Sequence, residues 1–262
     1  MDIATQAEAY RRDGYATLRI IEEDEAAAHR AILEDAESTH GALHYKAKMH
    51  TVMRSPYELA TNPRVLDMVE ALIGPDILLY DATYIIKEPH TDAHVSWHQD
   101  LTYWGLSDDA QVTLWLALSP ATETSGCMRM IPGSHIGGMV AHAPTEDASN
   151  VLLQGQTVSG IDEHSAVMCP LAPGEASFHH GWTLHASMPN RSDDRRIGLN
   201  AQYLAPYVRQ TKHNRDTAML VRGTDRYGNF GPNTAAQTDF DPAAVALWHE
   251  MDKLHVETQG TV

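Results

Sequence analysis

The sequence predicts a mainly β protein with helices at its N-terminus, folded as an antiparallel sandwich or barrel. After Gly74 the chain breaks into many short β-branched and aromatic runs, which favour strands. Turn signals such as Pro132-Gly133 and Pro173-Gly174 separate these runs, and no helical pattern lies between them. This argues against a βαβ sheet. The first seventy-odd residues instead follow helical patterns.

Two helices are predicted in this N-terminal part. The segment 25–37 is rich in Ala and Glu, with acidic residues in its first turn, where the helix dipole favours them. In the second helix, Asn62 is suited to cap the start, Pro63 to begin the first turn and Gly74 to end the last. Its apolar residues follow the spacing of a helix with one buried face: Val65, Met68, Val69, Leu72 and Ile73.

The predicted strands follow in order after Gly74. They span 77–87, 96–104, 112–118, 127–131, 175–180, 183–187 and 196–204. The stretch 135–170 has weak periodicity, and a connection of that length is usually functional or mobile. The tail after Pro206 is polar, with one helix predicted near 242–254.

We interpret the chain as one domain over 1–262, because a β-rich domain can run to roughly 250 residues. It would comprise a helical flank at 1–75, a core at 76–206 with a loop insert at 135–170, and a C-terminal extension at 207–262. A chain this long can bury a large core without disulfides or a structural metal.

The composition limits the partners that we expect. The 262 residues include 19 Lys and Arg against 35 Asp and Glu, a net charge of −16 with histidine counted neutral. This argues against nucleic acid, whose backbone is bound by basic surfaces. No apolar run approaches the roughly 20 residues that span a bilayer, and the polar start of the chain resembles no export signal. Two cysteines, Cys127 and Cys169, favour a reducing compartment. We therefore expect a cytoplasmic protein, monomer or homodimer, that acts on a small molecule.

Sixteen histidines prompt a search for metal ligands. In a strand, residues two apart share a face, so His98 and Asp100 converge while Gln99 points away. A histidine and a carboxylate on one face form two-thirds of the facial triad that binds Fe(II) and leaves positions open. Alone, this spacing occurs often by chance and is more typical of a solvated strand end.

A second polar group lies far downstream. His185 and Ser187 share a face by the same parity, and Arg196 opens a strand whose one face carries Arg196, Gly198, Asn200 and Gln202. This row could face solvent. Alternatively, an inward arginine would bind a dicarboxylate, because guanidinium grips a carboxylate with two hydrogen bonds and stays charged when buried. Arg195 is adjacent but would point the opposite way.

These motifs together resemble a known family. The segment SWHQDLTYWGLSDDAQVTLWLALSPATETSGCMRMIPGSH and the later WTLHASMPNRSDDRR are similar to the phytanoyl-CoA dioxygenase family of Fe(II)- and 2-oxoglutarate-dependent oxygenases. The similarity extends from about residue 10 to 206, with the motifs in order at family-like spacings. The resemblance implies a double-stranded β-helix, a cupin-like jelly-roll barrel with the metal inside.

The resemblance also implies roles for single residues. His98, Asp100 and His185 would bind iron, and Arg196 would take the distal carboxylate of 2-oxoglutarate, with Ser187 beside it. Trp115 would help to wall the cosubstrate pocket, sharing its face with Thr113. Three further residues are candidates for the substrate side, although the two aromatic ones are equally typical of a core: Lys48, Tyr103 and Trp104.

We assign no other histidine to iron. His94 has helical spacing to His98, but the segment has a strand pattern. His179 and His180 face opposite ways, so at most one points inward. His135, in the PGSH turn, is expected to be structural, and three others are expected at the surface: His29, His40 and His142.

The implied reaction uses O2 to hydroxylate an unactivated C–H bond of a small metabolite, with release of succinate and CO2. A related iron halogenase is one alternative, although halogenases of this kind carry Ala or Gly where Asp100 stands. A desaturase and a non-catalytic ligand-binding barrel are others. The substrate stays open. Four basic residues lie in segments that could face an anionic substrate: Lys48, Arg54, Lys87 and Arg129.

Overall fold

The computed structural model describes residues 2–152 and 156–260. Its helices are α1 (Ile3–Asp13), α2 (Glu23–His40), α3 (Arg54–Ala60), α4 (Pro63–Ile73), α5 (Leu101–Trp104) and α6 (Pro242–Gly260). Its strands are β1 (Tyr15–Arg19), β2 (Ile77–Lys87), β3 (Val95–His98), β4 (Gln111–Ala117), β5 (Met128–Met130), β6 (Ala143–Pro144), β7 (Gln156–Thr157), β8 (Val167–Cys169), β9 (Glu175–His180), β10 (His185–Ser187), β11 (Arg196–Leu204), β12 (Thr217–Arg222) and β13 (Gly231–Pro232). Short 3₁₀ turns lie at Met49–Thr51, Ser134–Gly137 and Glu163–Ser165.

Two sheets form the jelly roll. The larger has the order β1-β9-β4-β11-β2-β12-β13, and its strands pair antiparallel except for the short β12–β13 pair. The smaller has the order β3-β10-β5-β8 and is antiparallel throughout. The mainly β, cupin-like fold class is confirmed. Within the described residues the two sheets stay separate and do not close into one hydrogen-bonded cylinder.

The larger sheet is buried on both faces, for different reasons. On β11, Ile197, Leu199, Ala201 and Tyr203 belong to the main apolar core together with residues of α4, and this face is covered by the N-terminal helices. The alternate β11 residues Arg196, Asn200 and Gln202 are polar and line the cavity between the two sheets. Because side chains alternate along a strand, one strand serves both the core and a polar interior.

Several elements agree with the sequence. The strands 77–87, 175–180 and 196–204 occur with the predicted bounds, and the helix after Asn62 begins at Pro63 and ends before Gly74. The Asn62 side chain accepts a hydrogen bond from the Arg64 backbone N–H at 2.9 Å, which satisfies one of the unpaired donors of the first turn. The strands near 112–118, 127–131 and 183–187 are shorter or shifted by one or two residues.

Two predictions of secondary structure are wrong. The N-terminal part is not all helical, because β1 pairs with β9 at the edge of the larger sheet. The strand predicted at 96–104 ends at His98, and the chain turns at Asp100 into the short helix α5. Tyr103 and Trp104 of α5 pack in a small apolar cluster with Leu101, so their aromatic side chains are buried without belonging to a strand.

The 135–170 insert and the C-terminal part both reach the interior. The insert carries the antiparallel β6–β7 pair and β8, and Leu152 lines the cavity between the sheets, while 153–155 lie outside the described residues. In the C-terminal part, β12 extends the larger sheet beside β2. Helix α6 runs beyond the predicted 242–254, and its His255 and Val256 also line the cavity. No described helix combines the length and apolarity needed to cross a membrane.

Candidate active site

The two strands at one edge of the cavity bring two histidines together. His98 ends β3 and His185 begins β10, and the two residues are directly paired in the antiparallel register. Asp100 follows two residues after His98, and the possible ligand atoms of the three residues all lie within 4.8 Å of one another. The Oδ1 atom of Asp100 lies 3.4 Å from Nε2 of His98 and 3.6 Å from Nε2 of His185. These atoms face one point, the arrangement of a facial triad.

Backbone hydrogen bonds orient both imidazoles. Nδ1 of His98 lies 2.9 Å from the Ser96 carbonyl oxygen, and Nδ1 of His185 lies 3.0 Å from that of Thr183. A carbonyl only accepts, so each Nδ1 carries the proton and each Nε2 keeps its lone pair for a metal. Burial, together with His98, holds the pKa of His185 well below its usual range. Its imidazole is therefore neutral, as a metal ligand requires.

Asp100 is held through its other oxygen. The Thr113 hydroxyl donates to Oδ2 at 2.8 Å, and Nε2 of His179 lies 3.2 Å from the same atom. Burial raises the pKa of Asp100, but the neighbouring histidines outweigh it and hold the pKa well below the usual range. Thr113, predicted beside the cosubstrate, thus lies behind Asp100. The two ligands converge because the backbone turns into α5 at Asp100, and not because they share a strand face.

His179 is a site residue that the sequence alone does not identify. It is the inward member of the His179–His180 pair, and its ring centroid lies 4.6 Å from that of His185. The alternation of β9 limited the choice to one of the two histidines, but only the register with β4 decides which one faces the cavity. Its contact with Asp100 makes it a positioning residue for the carboxylate.

Arg196 lies on the cavity wall with only 1% of its surface exposed. Its guanidinium stacks over the Trp115 ring at 4.3 Å from the centroid, and its Nε and Nη1 have no hydrogen-bond partner in the described protein. Burial lowers the pKa of Arg196 to about 10, so the group stays charged at neutral pH. A buried cation with unpaired donors is costly unless an anion completes it. A carboxylate of 2-oxoglutarate fits this requirement.

Gly198 makes room for this stack. It lies between Arg196 and Asn200 on the inner face of β11, and a Cβ at this position would come within 2.0 Å of the Trp115 ring. A side chain at residue 198 would therefore displace the indole that supports the guanidinium.

Lys87 connects the two sheets behind Ser187. Its Nζ donates to the Ser187 hydroxyl oxygen at 2.7 Å and to the Met188 carbonyl oxygen, and only 2% of the residue is exposed. Because the lysine donates, the Ser187 hydroxyl keeps its own proton for a ligand acceptor. Lys87 is paired with Arg196 in the β2–β11 register, so two basic residues stand side by side. Arg195, in contrast, points outward and contacts Glu37 and Glu88 at 2.8 and 3.0 Å.

We expect Lys87→Met to change stability in a pH-dependent way. Burial, followed by the charge of Arg196, lowers the pKa of Lys87 to about 6, whereas the unfolded value is 10.5. Between these values the unfolded chain binds the proton and the folded chain does not, so wild-type stability rises with pH in this window. Methionine removes this dependence. The unfolding free energy of the metal-free variant minus that of wild type, from urea denaturation, should fall between about pH 7 and about pH 10. The matched control, Lys253→Met at an exposed position, should show no such trend, and a constant difference for Lys87→Met would contradict the prediction.

The residues predicted on the substrate side have different positions. Tyr103 and Trp104 both line the cavity. Lys48 does not, because its ammonium donates to the backbone oxygens of Tyr80 and Thr217 and lies 3.8 Å from a carboxylate oxygen of Asp216. Lys48 is 1% exposed and lies behind the cavity wall, with its charge already paired.

The contacts of Arg54, Arg129 and His142 show where these residues lie. Arg54 pairs with Glu58, and Arg129 lies over Trp97 beside Glu163, so neither reaches the cavity. His142, predicted at the surface, is half-buried. Its Nε2 accepts from the Gln99 backbone N–H at 3.1 Å.

The other histidines considered from the sequence, His29, His40, His94 and His135, lie outside the cavity. His29 is also half-buried, contrary to its prediction, and hydrogen-bonds Ser55 at 2.8 Å, whereas His40 is exposed and stacks on Phe240. His135 lies in a 3₁₀ turn, and His94 forms a β-bridge with Asn150 and no helix.

The chain has relatives among known proteins. The model of the phytanoyl-CoA dioxygenase family matches residues 4–198, which is well over half of the chain. A probable α-ketoglutarate-dependent hypophosphite dioxygenase of Stutzerimonas stutzeri is 29% identical over 149 residues, covering 56% of this chain and 52% of that protein. The peroxisomal phytanoyl-CoA dioxygenase of Homo sapiens is 27% identical over 154 residues, covering 56% and 45%. The chain spans about half the length of the curated relatives it matches.

Solved structures match over nearly the whole chain. The non-heme monooxygenase ThoJ, in its apo form, is 30% identical with a TM-score of 0.84 and covers 98% of both chains. The epimerase SnoN, in complex with Fe3+, α-ketoglutarate and a nogalamycin compound, has the same fold at 21% identity, with a TM-score of 0.68 and coverage of 90% and 96%. The chain belongs to the phytanoyl-CoA dioxygenase family of Fe(II)- and 2-oxoglutarate-dependent oxygenases, and His98, Asp100 and His185 form its metal-binding site.

Proposed function

We propose that this protein hydroxylates an unactivated C–H bond of a small metabolite, using Fe(II), 2-oxoglutarate and O2 and releasing succinate and CO2. One observation carries the proposal. The complete triad of His98, Asp100 and His185 shares a cavity with the buried guanidinium of Arg196, whose Nε and Nη1 have no partner in the described protein. A metal site beside an unsatisfied cation fits a metal and a dicarboxylate bound together.

Each of these residues has a part in holding the reactants. His98 and His185 would each give iron an Nε2 lone pair, and Asp100 would give Oδ1. Arg196 would bind the distal carboxylate of 2-oxoglutarate, with the Ser187 hydroxyl beside it. When bound, iron and 2-oxoglutarate supply the oxidising chemistry that the side chains lack.

The cavity also has room and shelter for an organic substrate. Its empty volume is about 1020 Å³ when the open space at its mouth is included. Tyr103, Trp104 and Leu152 contribute apolar walls that exclude water. The names of the relatives refer to different substrates, such as hypophosphite, phytanoyl-CoA and 1-deoxypentalenic acid. They therefore do not identify the substrate of this chain.

We expect no halogenation, even at molar chloride or bromide. A halide would need the place of Asp100, whose Oδ2 is fixed by Thr113 and His179. Losing this carboxylate would also remove a negative charge that helps to hold a divalent metal. The measurement is the mass of the product formed when the protein and its organic substrate are incubated with Fe(II), 2-oxoglutarate, O2 and halide. A gain of one oxygen atom supports the proposal, and a halogenated product from the wild-type protein would contradict it.

Two other outcomes remain distinguishable in the same experiment. A product two hydrogens lighter than the substrate would identify a desaturase and leave the site assignment intact. A non-catalytic binding protein would form no succinate from 2-oxoglutarate with any substrate tested. For succinate formation the matched control is the Asp100→Ala variant, because it keeps both histidines and removes only the carboxylate.

A further inference from the structure

The inner face of the β2–β11 pair has charge of opposite sign at its two ends. Lys87 and Arg196 are paired in register at one end, and Asp81 and Gln202 are paired at the other. Between them lie the uncharged pairs Ile85–Gly198 and Thr83–Asn200. The basic end fits 2-oxoglutarate, so the acidic end is available to a different ligand.

Asp81 is a buried carboxylate on the cavity wall, 2% exposed, whose hydrogen-bond donors are uncharged. Its Oδ1 accepts from the backbone N–H of Lys48, and its Oδ2 accepts from the Thr83 hydroxyl at 2.6 Å. Across the described chain, no lysine or arginine lies within 4.0 Å of its oxygens. The ammonium of Lys48 contributes at longer range, but it lies closest to Asp216 and is directed at backbone oxygens.

Among the described residues, the ionisable side chain within 4.0 Å of the Asp81 carboxylate is a histidine of α6. Nε2 of His255 lies 3.9 Å from Oδ2, beyond hydrogen-bond distance. Burial holds the pKa of His255 below its usual value, so the ring is neutral at neutral pH. The negative charge of Asp81 is thus left without a cation in contact, which is unfavourable for a buried carboxylate.

Gln202 supplies a second, independent sign of a missing ligand. Its Oε1 is buried, lines the same cavity and has no hydrogen-bond partner in the described protein, and the residue is 4% exposed. Gln202 faces Asp81 on one side and Thr113 on the other, and Thr113 holds Asp100. Two buried acceptors therefore stand side by side in the row of residues that leads to the metal ligands.

We propose that Asp81 and Gln202 bind a cationic nitrogen of the organic substrate, so that the enzyme selects protonated amines, or other cations with N–H groups, over neutral and anionic molecules. The inference rests on the proposed function, because it assigns the substrate end of the same cavity. A cation with two N–H groups would pair the Asp81 charge and satisfy Oε1 of Gln202 together. None of the four basic candidates offers a cation to an anionic substrate at this end. Lys48 lies behind the wall with its charge paired, Lys87 lies at the cosubstrate end, and Arg54 and Arg129 do not reach the cavity.

The test uses probes that differ in the charge of one end only. Straight-chain alkylamines of four to eight carbons are titrated calorimetrically into the anaerobic protein loaded with Fe(II) and 2-oxoglutarate, beside the matching alcohols and carboxylates. We expect the best ammonium probe to bind about tenfold or more tightly than its alcohol, and the carboxylate most weakly. Equal binding of ammonium and alcohol, or preference for the carboxylate, would overturn the proposal.

Two variants test whether Asp81 is the cause. Asp81→Asn keeps a side chain of the same size and should lose the ammonium preference while alcohol binding stays unchanged. Asp35→Asn, at an exposed position on α2, removes the same charge elsewhere and should keep the preference. An Asp81→Asn protein that still prefers ammonium ions would also overturn the proposal.

A further variant provides a test if Asp81→Asn does not fold, which could happen because the Asp81 carboxylate also accepts a hydrogen bond from the Lys48 backbone N–H. Gln202→Glu adds a second carboxylate at the same place and should strengthen ammonium binding several-fold; unchanged or weaker binding contradicts the inference. The failure of the proposed function has a different signature. In that case the wild-type protein would not bind Fe(II) and 2-oxoglutarate, or would form a product other than the hydroxylated one, whereas a failure of this inference leaves cofactor binding and hydroxylation intact.

Discussion

Replacing His98 or His185 with alanine is expected to abolish stoichiometric iron binding and succinate formation while leaving the protein folded. Each imidazole gives its Nε2 to the triad and is held by one backbone hydrogen bond through Nδ1. Neither residue belongs to the main apolar core. The measurements are iron content after anaerobic loading, succinate yield, and the thermal transition of the metal-free protein.

His94→Ala is the matched control for these variants. His94 is four residues before His98, its Nε2 lies 3.6 Å from Asp147, and it is not part of the triad. It should retain one iron and wild-type turnover. If both His98→Ala and His185→Ala kept stoichiometric iron and full succinate production, the metal site would be wrongly assigned.

The elements that the sequence predicts well are those whose local pattern and tertiary role agree. The segments 77–87 and 196–204 are buried on both faces, and 77–87 is rich in the β-branched and aromatic residues that favour a strand. Strand β1 was missed because it has only five residues between two helices, and its partner β9 lies some 160 residues later. Such a pairing is set by long-range contacts that no local pattern contains. The turn at Asp100 was missed for a related reason, since the aromatic residues of α5 resemble those of a strand.

The site also contains residues that local sequence predicts and residues that depend on long-range contacts. The histidines and carboxylate of the triad follow from the motif and the family resemblance, because the ligand types define the metal chemistry. The roles of His179, Lys87 and Asp81 could not be predicted in this way. The role of each depends on the residue opposite it on a neighbouring strand. Lys87 lies beside Arg196, and Asp81 lies beside Gln202. Register across a sheet is a tertiary property.

Arg196→Leu is expected to weaken 2-oxoglutarate binding steeply. The guanidinium is buried over Trp115 with two unpaired nitrogen donors, and losing one partner of a desolvated charge pair costs roughly 2–5 kcal/mol, or about 30-fold to several-thousand-fold in affinity. Leucine removes the charge and keeps an apolar contact with the indole. The change should appear in the KM for 2-oxoglutarate and in its dissociation constant under anaerobic conditions, whereas iron stoichiometry stays unchanged.

Arg195→Leu decides between two registers of β11 in the same assays. Arg195 and Arg196 are adjacent and carry the same charge, but Arg195 contacts Glu37 and Glu88 on the outside of the sheet. Since neighbouring side chains of a strand point to opposite faces, only one of the two can reach the cavity. Arg195→Leu should therefore leave 2-oxoglutarate affinity unchanged, with at most a small loss of stability from its partly exposed ion pairs. The reverse result, a normal KM for Arg196→Leu and a raised one for Arg195→Leu, would place the opposite face of β11 in the cavity and remove the basis for both the cosubstrate site and the Asp81–Gln202 pair.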